Sequence, residues 1–485
     1  MNQKITLRDY QQRAVEAGLD YMESRNASPA LIVAATGSGK SLMISSIANR
    51  SKGNTLVLQP SVELLRQNYE KSVALGGNPT IFSASARCKE MSGFIYATIG
   101  SIKKHTEALK EMNIRNLLID ECHSGYSPKE GSEFSKFIGE MDFKKVIGFT
   151  ATPFRLTYYS SLVGEKYSQL NMLTRMSPRY FKKYLDVTQI GEMIDRGFWS
   201  PLEYEVWNYD DSMLVLNSSG SEYTEDSISR SIQANGVNNT IYKRLRELVK
   251  EKRSILVFLD SVENCIRMSE FFNHKVENTS AVVHANTPGA ERDRIIESFK
   301  AGKLKILFNV QALSVGFDHP GIDCVIFGRP TFSLSVYYQV LGRAVRIDPS
   351  GIKKDALIVD AVNNMSRFGK IEDLSIEDFP GYGYGVFSKN RLLTNIPMGM
   401  EVTMDELSSR YISSLNKEKM QPIKGKQAIG GRFVTPLSGT IMWFGKYEGQ
   451  RFDSIPMQYL TYLVNNIKRD ARNEKIFQYV EQLIQ

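Results

Sequence analysis

Residues 30–50, ALIVAATGSGKSLMISSIANR, place a glycine-containing loop between a β-rich apolar run and a helical pattern. In such a strand–loop–helix unit, the backbone N–H groups of the loop can surround phosphate oxygens. The lysine adds a positive charge for the β and γ phosphates, and the hydroxyl after it can reach Mg²⁺. Ala34 stands where the general motif has glycine. The residues predicted to bind nucleotide phosphates and Mg²⁺ are Thr36, Gly37, Ser38, Gly39, Lys40 and Ser41.

The alternation of apolar runs and helical patterns extends over much of the chain. Five strand-like runs lie between residues 30 and 152, and five more lie between 254 and 362. Continuous apolar strands that alternate with helices indicate parallel sheets covered on both faces. A chain of 485 residues is too long for one core and predicts two to four domains, and the two groups of runs predict that two of them are α/β domains. The glycine- and aromatic-rich stretch FPGYGYGVFSKN, residues 379–390, predicts an irregular loop instead.

A second concentration of reactive groups is NLLIDECHSGY, where an apolar run ends in Asp120, Glu121, Cys122 and His123. These four residues alone are compatible with a metal site, with a cysteine nucleophile and its base, or with part of an ATPase. The phosphate loop favours the ATPase, in which Asp120 holds Mg²⁺ through water and Glu121 orients and deprotonates the attacking water. A zinc cluster is disfavoured because the cysteines are scattered, at Cys88, Cys122, Cys265 and Cys324.

With AATGSGKS followed by DECH, the chain resembles the superfamily 2 helicases and translocases of the DEAD/DEAH-like kind over about residues 5–362. Through HANTPGAERDRIIESFKAG and NVQALSVGFDHP it is most similar to the bacterial RadD-type DNA helicases and the phage branch-migration helicases. The resemblance implies two tandem RecA-like domains, ATP and Mg²⁺ as cofactors, and DNA as the partner. It implies a DNA helicase or translocase acting on forked or branched DNA in repair, recombination or replication. The alternatives are an RNA helicase and an ATP-gated DNA-binding or annealing clamp.

The QxxGRxxR pattern of these motors occurs in YYQVLGRAVR, residues 337–346. Its polar residues fall at i, i+4 and i+7, so we expect Gln339, Arg343 and Arg346 on one face of a helix. Two guanidinium groups there can stabilise the charge that develops on the γ-phosphate. ATP would then bind between the two domains, and loss of the γ-phosphate would loosen them.

Other motifs of the superfamily extend the predicted site. The residues that would face the nucleotide are Arg8, Gln11, Gly316 and Asp318. The residues that would couple the ATP site to the second domain are His123, Thr150 and Thr152, with His123 forming a hydrogen bond across the cleft. The residues that match strand-contacting motifs of both domains are Pro60, Ser61, Thr98, Ser101, Asp260, His284 and Gln311.

The C-terminal segment TIMWFGKYEGQRFDSIPMQYLTYLV, residues 440–464, resembles a small module at the C-terminus of exonuclease X-like proteins. Residues 410–475 contain 12 Lys or Arg and 5 Asp or Glu, which gives +7 of the chain's net +8. This excess favours contact with DNA. The aromatic side chains suit either base stacking or a small core. The candidate DNA-binding residues of the module are Trp443, Lys446, Tyr447 and Arg451.

The predicted fold is α/β, with accessory parts after the motor. The predicted segments are a first RecA-like domain at 1–185, a connection at 186–235, a second RecA-like domain at 236–365, an irregular accessory region at 366–438 and a small basic α+β module at 439–485. Neither an apolar signal segment nor a membrane-length apolar run is recognisable. We expect no membrane contact and no structural zinc, and we expect the cytoplasm of a bacterial or phage-infected cell. Protein partners are not indicated.

Overall fold

The structure is a computed structural model. It describes residues 5–124, 126, 131–160, 166–275, 279–310, 317, 319–379, 382–398 and 400–409, and then 442, 447, 450, 452, 455, 459–460, 463–464 and 474–478. Within these ranges, no helix combines the length and the apolar character that a membrane crossing requires.

Lobe one, residues 5–195, is a sheet covered by helices. Its elements are α1 (Asp9–Glu23), β1 (Ala30–Ala34), α2 (Lys40–Arg50), β2 (Asn54–Gln59), α3 (Val62–Ala74), β3 (Thr80–Ser83), β4 (Cys88–Lys89), β5 (Phe94–Thr98), α4 (Ile99–Ile102), α5 (Thr106–Glu111), β6 (Ile114–Ile119), α6 (Glu133–Glu140), β7 (Lys145–Thr150), β8 (Phe154–Ser160), β9 (Lys166–Met172), β10 (Lys183–Thr188) and α7 (Ile190–Asp195). The strand order is β10–β1–β7–β6–β2–β5–β3–β4, in which only β4 runs antiparallel to its neighbour. Strands β8 and β9 form a separate antiparallel hairpin.

The strand order brings the predicted motifs of lobe one to one edge. Val33 pairs with Thr150, and Ile119 pairs with Gly148, so β1, β6 and β7 end side by side. All five residues of β1 are buried, as expected for a strand that helices cover on both faces. Because parallel strands present their carboxyl ends together, the phosphate loop after β1 lies next to Asp120 after β6.

Lobe two, residues 202–368, is a second parallel sheet with helices around it. Its elements are β11 (Leu202–Val206), α8 (Glu225–Ala234), α9 (Val237–Glu251), β12 (Ile255–Phe258), α10 (Val262–Lys275), β13 (Ser280–Val283), α11 (Gly289–Lys300), β14 (Ile306–Asn309), β15 (Cys324–Phe327), α12 (Leu334–Leu341), β16 (Ala356–Asp360) and α13 (Asn364–Phe368). The strand order is β11–β16–β15–β12–β14–β13, with every pair parallel. The α/β fold with two tandem parallel-sheet domains therefore agrees with the prediction.

The segment 186–235 differs from the simple connection that was predicted. Its first residues complete β10, an edge strand of lobe one, and Leu202–Val206 form β11, an edge strand of lobe two. Half-exposed edge strands lack the continuous apolar run of central strands, which explains why the sequence pattern did not reveal β11.

The described residues of the stretch 379–390, which are 379 and 382–390, are not the irregular loop that the sequence predicts. Most of them belong to an antiparallel sheet of β17 (Leu374–Phe379), β18 (Gly383–Ser388) and β19 (Arg391–Leu392). A Cβ on Gly385 would lie 2.9 Å from a Leu392 methyl carbon, so glycine permits close packing inside this sheet. Gly383 and Gly385, which suggested a loop, therefore lie within a strand that also contains aromatic residues.

This accessory sheet bridges the two lobes. Gln189 of lobe one donates its Nε2–H to Ile376 O (2.6 Å), and its Oε1 accepts from Ile376 N–H (3.1 Å). Asn395 N–H donates to Leu170 O of the β8–β9 hairpin (2.6 Å). On the lobe-two side, Arg391 of β19 donates Nη2–H to Arg367 O (2.8 Å).

Farther on, the described residues of the C-terminal module form a small apolar cluster. Its buried members are Met442, Phe452, Ile455, Leu460, Leu463 and Ile476. The Tyr447 ring packs edge-on against Tyr459 at 4.6 Å between centroids, so this tyrosine contributes to the cluster. The other candidate DNA-binding residues of the module, Trp443, Lys446 and Arg451, lie outside the described residues.

Candidate functional site

The loop between β1 and α2 has the backbone shape of a phosphate cradle. Gly37 and Gly39 both adopt left-handed backbone conformations, with φ of 78° and 83°. Helix α2 begins at Lys40, so its N-terminal N–H groups point into the loop. Gln11 donates its Nε2–H to Ser38 O (2.8 Å), which ties the predicted adenine-reading segment to the loop. Arg8 instead stacks on Phe198, 4.0 Å from the ring centroid.

A buried charge cluster lies against this loop. Lys40 Nζ is 3.1 Å from Asp120 Oδ1 and forms an ion pair with Glu121. Burial opposes the charged lysine, but the two carboxylates outweigh it and raise the pKa of Lys40. Burial raises the pKa of Asp120, which also accepts a hydrogen bond from Asn68 Nδ2 (3.0 Å). For Glu121, Lys40 and His123 outweigh burial and lower the pKa, so this carboxylate stays ionised.

The donor atoms here fit a magnesium ion. Ser41 and Asp120 line the same pocket, and they offer a hydroxyl and a carboxylate oxygen. Mg²⁺ prefers hard oxygen ligands and keeps several waters. Glu121 has a left-handed backbone, with φ of 47°, and its Oε2 lies 3.4 Å from His123 Nδ1, whereas Asp120 accepts from Asn68. The two carboxylates can therefore serve different roles.

Lobe two closes the pocket from the opposite side. Gln339, Arg343 and Arg346 line it together with Lys40 and Glu121. Arg343 is 8% exposed and donates Nη1–H to Phe317 O (2.5 Å).

The sequence predicts that Gln339, Arg343 and Arg346 lie on one face of a helix, but in the structure only Gln339 is helical. Helix α12 ends at Leu341, Arg343 lies in the turn that follows, and Arg346 forms a β-bridge with Trp199. The adjacent Gly342 explains the tight approach of the lobes, because a Cβ there would lie 2.5 Å from Thr36 Cγ2. The turn still brings both arginines into the pocket that the helix was expected to serve.

The three predicted coupling residues form one chain of hydrogen bonds with Gln339. His123 Nδ1 lies 2.9 Å from Thr150 Oγ1, which also accepts from Thr152 N–H (2.9 Å). His123 Nε2 lies 3.1 Å from Gln339 Nε2, across the cleft. Burial lowers the pKa of His123 to about 4, so the ring is neutral near pH 7. Since the amide nitrogen only donates, His123 accepts from Gln339 and donates to Thr150.

The strand-contacting candidates of lobe one share the same sheet edge. Gln59 pairs with Thr98, so the ends of β2 and β5 are adjacent. Ser61 caps α3 by accepting from Leu64 N–H (3.3 Å), and Pro60 beside it is exposed. Ser101 Oγ lies 3.1 Å from Thr98 Oγ1 and accepts from Ala84 N–H (2.9 Å). These hydroxyls are partly engaged in holding the loops together.

The strand-contacting candidates of lobe two, Asp260, His284 and Gln311, do not form one group in the described structure. Asp260 is 5% exposed, and its carboxylate accepts twice from Asn264 Nδ2 (2.9 Å), so it holds the start of α10 instead of facing outward. His284 lies in a turn, where its N–H donates to Thr287 Oγ1 (2.9 Å). Three predicted residues lie outside the described residues: Gln311, Gly316 and Asp318.

Two site residues were not predicted from the sequence. Trp199, in the segment between the lobes, donates Nε1–H to Thr36 O (2.9 Å). Thr36 N–H in turn donates to the hydroxyl of Tyr338 (3.3 Å). Tyr338 adjoins Gln339 within the QxxGRxxR pattern, which was a usable signal. Trp199 had no comparable signal, because only the fold brings it to the phosphate loop.

Part of each lobe matches a known domain family. Residues 4–155 match the family described as type III restriction enzyme, res subunit, and residues 240–348 match the helicase conserved C-terminal domain. In Saccharomyces cerevisiae, IRC3, whose name places it among the ATP-dependent helicases, is 25% identical over 74% of this chain and 52% of its own length. The chain thus spans about half of that relative.

Two further proteins agree with these matches. The DNA 3'-5' translocase XPB2 of Sulfurisphaera tokodaii is 26% identical over 74% of this chain and 82% of its own length. The solved structure of the type ISP restriction-modification enzyme LlaBIII bound to DNA shares the fold, with a TM-score of 0.53 and 18% identity over 74% of this chain and 28% of its own. The chain therefore carries two tandem helicase domains, one in each lobe, and is similar to proteins named as ATP-dependent helicases and as a DNA translocase.

Proposed function

We propose that this chain is an ATP-dependent DNA helicase or translocase. The observation that carries the proposal is the pocket between the lobes, which Lys40, Asp120 and Glu121 line from one side and Arg343 and Arg346 from the other. Neither lobe alone contains the complete set of groups that hydrolysis of a phosphoanhydride requires. Catalysis would therefore depend on closure of the two lobes.

The geometry supports a division of roles around bound ATP. Lys40 would leave its ion pairs and contact the β and γ phosphates. Mg²⁺ held by Ser41 and Asp120 would neutralise charge on the phosphate oxygens. Glu121, ionised and beside His123, would orient water and accept its proton. The guanidinium groups of Arg343 and Arg346 would stabilise the charge on the transferred phosphoryl group.

Coupling to movement would run through the His123–Gln339 contact. This hydrogen bond joins the residue beside Glu121 to lobe two, so loss of the γ-phosphate can change both at once. Each lobe would hold part of a nucleic acid strand, and alternating closure would move the strand stepwise.

DNA is the substrate that the available observations favour. The similar protein XPB2 is named a DNA translocase, and the chain carries a net charge of +8. We further propose forked or branched DNA, in repair, recombination or replication, on the RadD-type and branch-migration resemblance of the second-lobe motifs.

ATP hydrolysis measured over a panel of nucleic acids tests this function. Single-stranded, forked and four-way DNA should each be compared with RNA of matched length and with no nucleic acid. We expect DNA to stimulate hydrolysis, with the largest stimulation by forked or four-way DNA. Stimulation by RNA alone would identify an RNA helicase. ATP-dependent DNA binding without any hydrolysis would identify a clamp.

His123→Ala is expected to lower DNA-stimulated ATP hydrolysis about tenfold, because the cost of a lost buried hydrogen-bond partner is roughly 1–3 kcal/mol. ATP binding should not change, since His123 does not line the phosphate pocket. In the wild type, activity should show no titration near pH 6.5, because the His123 pKa is lowered to about 4. Because the folded protein keeps the His123 ring neutral, the unfolded chain binds an extra proton between pH 6.5 and 4. The free energy of unfolding should therefore decrease as pH falls from 6.5 toward 4. ATP hydrolysis by both proteins with and without DNA measures the loss, a pH profile of wild-type kcat tests for the titration, and the melting temperature as a function of pH measures the stability.

A further inference from the structure

The turn that carries the two arginines, residues 342–346, is held through its backbone carbonyls. We call this segment the arginine loop. Val345 O accepts from Ser200 N–H (2.8 Å), and Arg346 O accepts from Ser200 Oγ–H (3.0 Å). Lys353 Nζ donates to Arg346 O (2.7 Å) and also to Ala344 O. Three consecutive carbonyls are thus bound by residues outside the loop.

Lys353 occupies an unusual environment for a lysine. It is 9% exposed, and its third ammonium proton faces Pro320 O at 3.4 Å. The ammonium group therefore has three backbone acceptors, two of them in the arginine loop. A buried cation used in this way fixes backbone geometry, because a charge-assisted hydrogen bond is stronger than a neutral one.

Trp199 and Ser200 extend the same support to lobe one. Trp199 is 5% exposed, forms an antiparallel bridge with Arg346, and donates Nε1–H to Thr36 O of the phosphate loop (2.9 Å). The neighbouring residues Trp199 and Ser200 thus contact both the phosphate loop and the arginine loop. The segment between the lobes is therefore part of the site.

We propose that Trp199, Ser200 and Lys353 are positioning residues that hold the arginine loop in register with the phosphate loop. None of the three is among the residues that line the pocket between the lobes, so they would act through Arg343, Arg346 and Thr36. The inference rests on the proposed ATP hydrolysis at this site. A displacement of about 1 Å in a catalytic group can cost about 100-fold in rate, so loss of this support should lower kcat strongly.

The protonation of Lys353 provides a specific signature. Burial lowers its pKa to about 8, against the opposing effect of Asp323, Asp348 and Asp355 and with a further lowering by Arg346. Glu372 and Lys354 line the pocket next to it. As pH rises through about 8, the ammonium group loses its charge and its third proton. Wild-type kcat should therefore fall on the alkaline side, and Lys353→Arg, which stays charged, should shift that fall to higher pH.

The test compares Lys353→Met and Trp199→Phe with Lys354→Met, a matched control because Lys354 is adjacent and exposed. For each full-length protein, kcat, binding of ADP and binding of ADP with fluoroaluminate, a transition-state mimic, are measured. We expect Lys353→Met to lose about 100-fold in kcat and in fluoroaluminate-dependent affinity, while ADP affinity stays within twofold. Trp199→Phe should lose about tenfold, the effect of one hydrogen bond.

The outcomes separate this inference from the proposed function. If wild type hydrolyses ATP and both variants match Lys354→Met, the positioning role is wrong although the function stands. Equal losses of ADP and fluoroaluminate binding would indicate general damage to the pocket and would also overturn it. If wild type neither hydrolyses ATP nor binds the mimic, the proposed function itself fails. If Lys353→Met does not fold, the kcat of Trp199→Phe and the fall of wild-type kcat at alkaline pH test the positioning role instead.

Discussion

Glu121→Gln is expected to lower kcat for ATP hydrolysis by about 10²–10⁴-fold, the contribution that a positioned general base makes. The amide cannot accept the proton of the attacking water, although it keeps nearly the shape of the carboxylate. Lys40 keeps its ion pair with Asp120 (Nζ–Oδ1 3.1 Å) in this variant, so the phosphate loop should keep its conformation. ATP affinity should therefore stay close to that of the wild type, and DNA should remain bound in the presence of ATP because the cycle stops before hydrolysis.

The matched control is Glu133→Gln, which removes an exposed carboxylate on α6 that pairs only with surface lysine Lys103 in the described contacts. Its kcat should not change. Single-turnover hydrolysis, ATP binding and the melting temperature should be measured on both variants. A Glu121→Gln protein that folds, binds ATP and hydrolyses it at the wild-type rate would remove Glu121 from the proposed role.

The parts of the site that were predictable are those with local causes. The loop AATGSGKS needs glycine at particular backbone angles, and the observed left-handed Gly37 and Gly39 meet that need. Asp120 follows an apolar strand whose parallel pairing can be read from its composition. The position of such residues at the end of a strand is enough to bring them together once the sheet forms.

The parts that were missed depend on contacts between distant segments. QVLGRAVR reads as continuous helix apart from one glycine, yet α12 ends at Leu341, and Gly342 after it lies directly against Thr36 of lobe one. Trp199 gains its role from a bridge to Arg346, which is 147 positions away along the chain. The partner of Asp260 is likewise not part of its motif, because Asn264, one helical turn later, donates to its carboxylate. Local patterns do not contain such information.

Removal of an arginine from lobe two provides the second test of catalysis between the lobes. Arg343→Ala is expected to lower kcat by about 10³–10⁵-fold, the range for an arginine that stabilises a phosphoryl transition state. Burial opposes ionisation of Glu121, and Arg343 is close enough to help Lys40 and His123 lower the pKa of that carboxylate. The loss should appear in kcat more than in KM, because the interaction strengthens as charge develops.

Charge alone should not restore the activity. Arg343→Lys keeps a cation but lacks the planar fork that reaches Phe317 O and the phosphoryl oxygens together, so we expect less than about tenfold recovery. The control is Arg230→Ala on α8, whose side chain is 58% exposed and pairs with Asp226. Steady-state kinetics and fluoroaluminate binding measure the effect. If Arg343→Ala kept wild-type kcat while Glu121→Gln was inactive, lobe one alone would hydrolyse ATP, and the dependence on closure of the two lobes would be wrong.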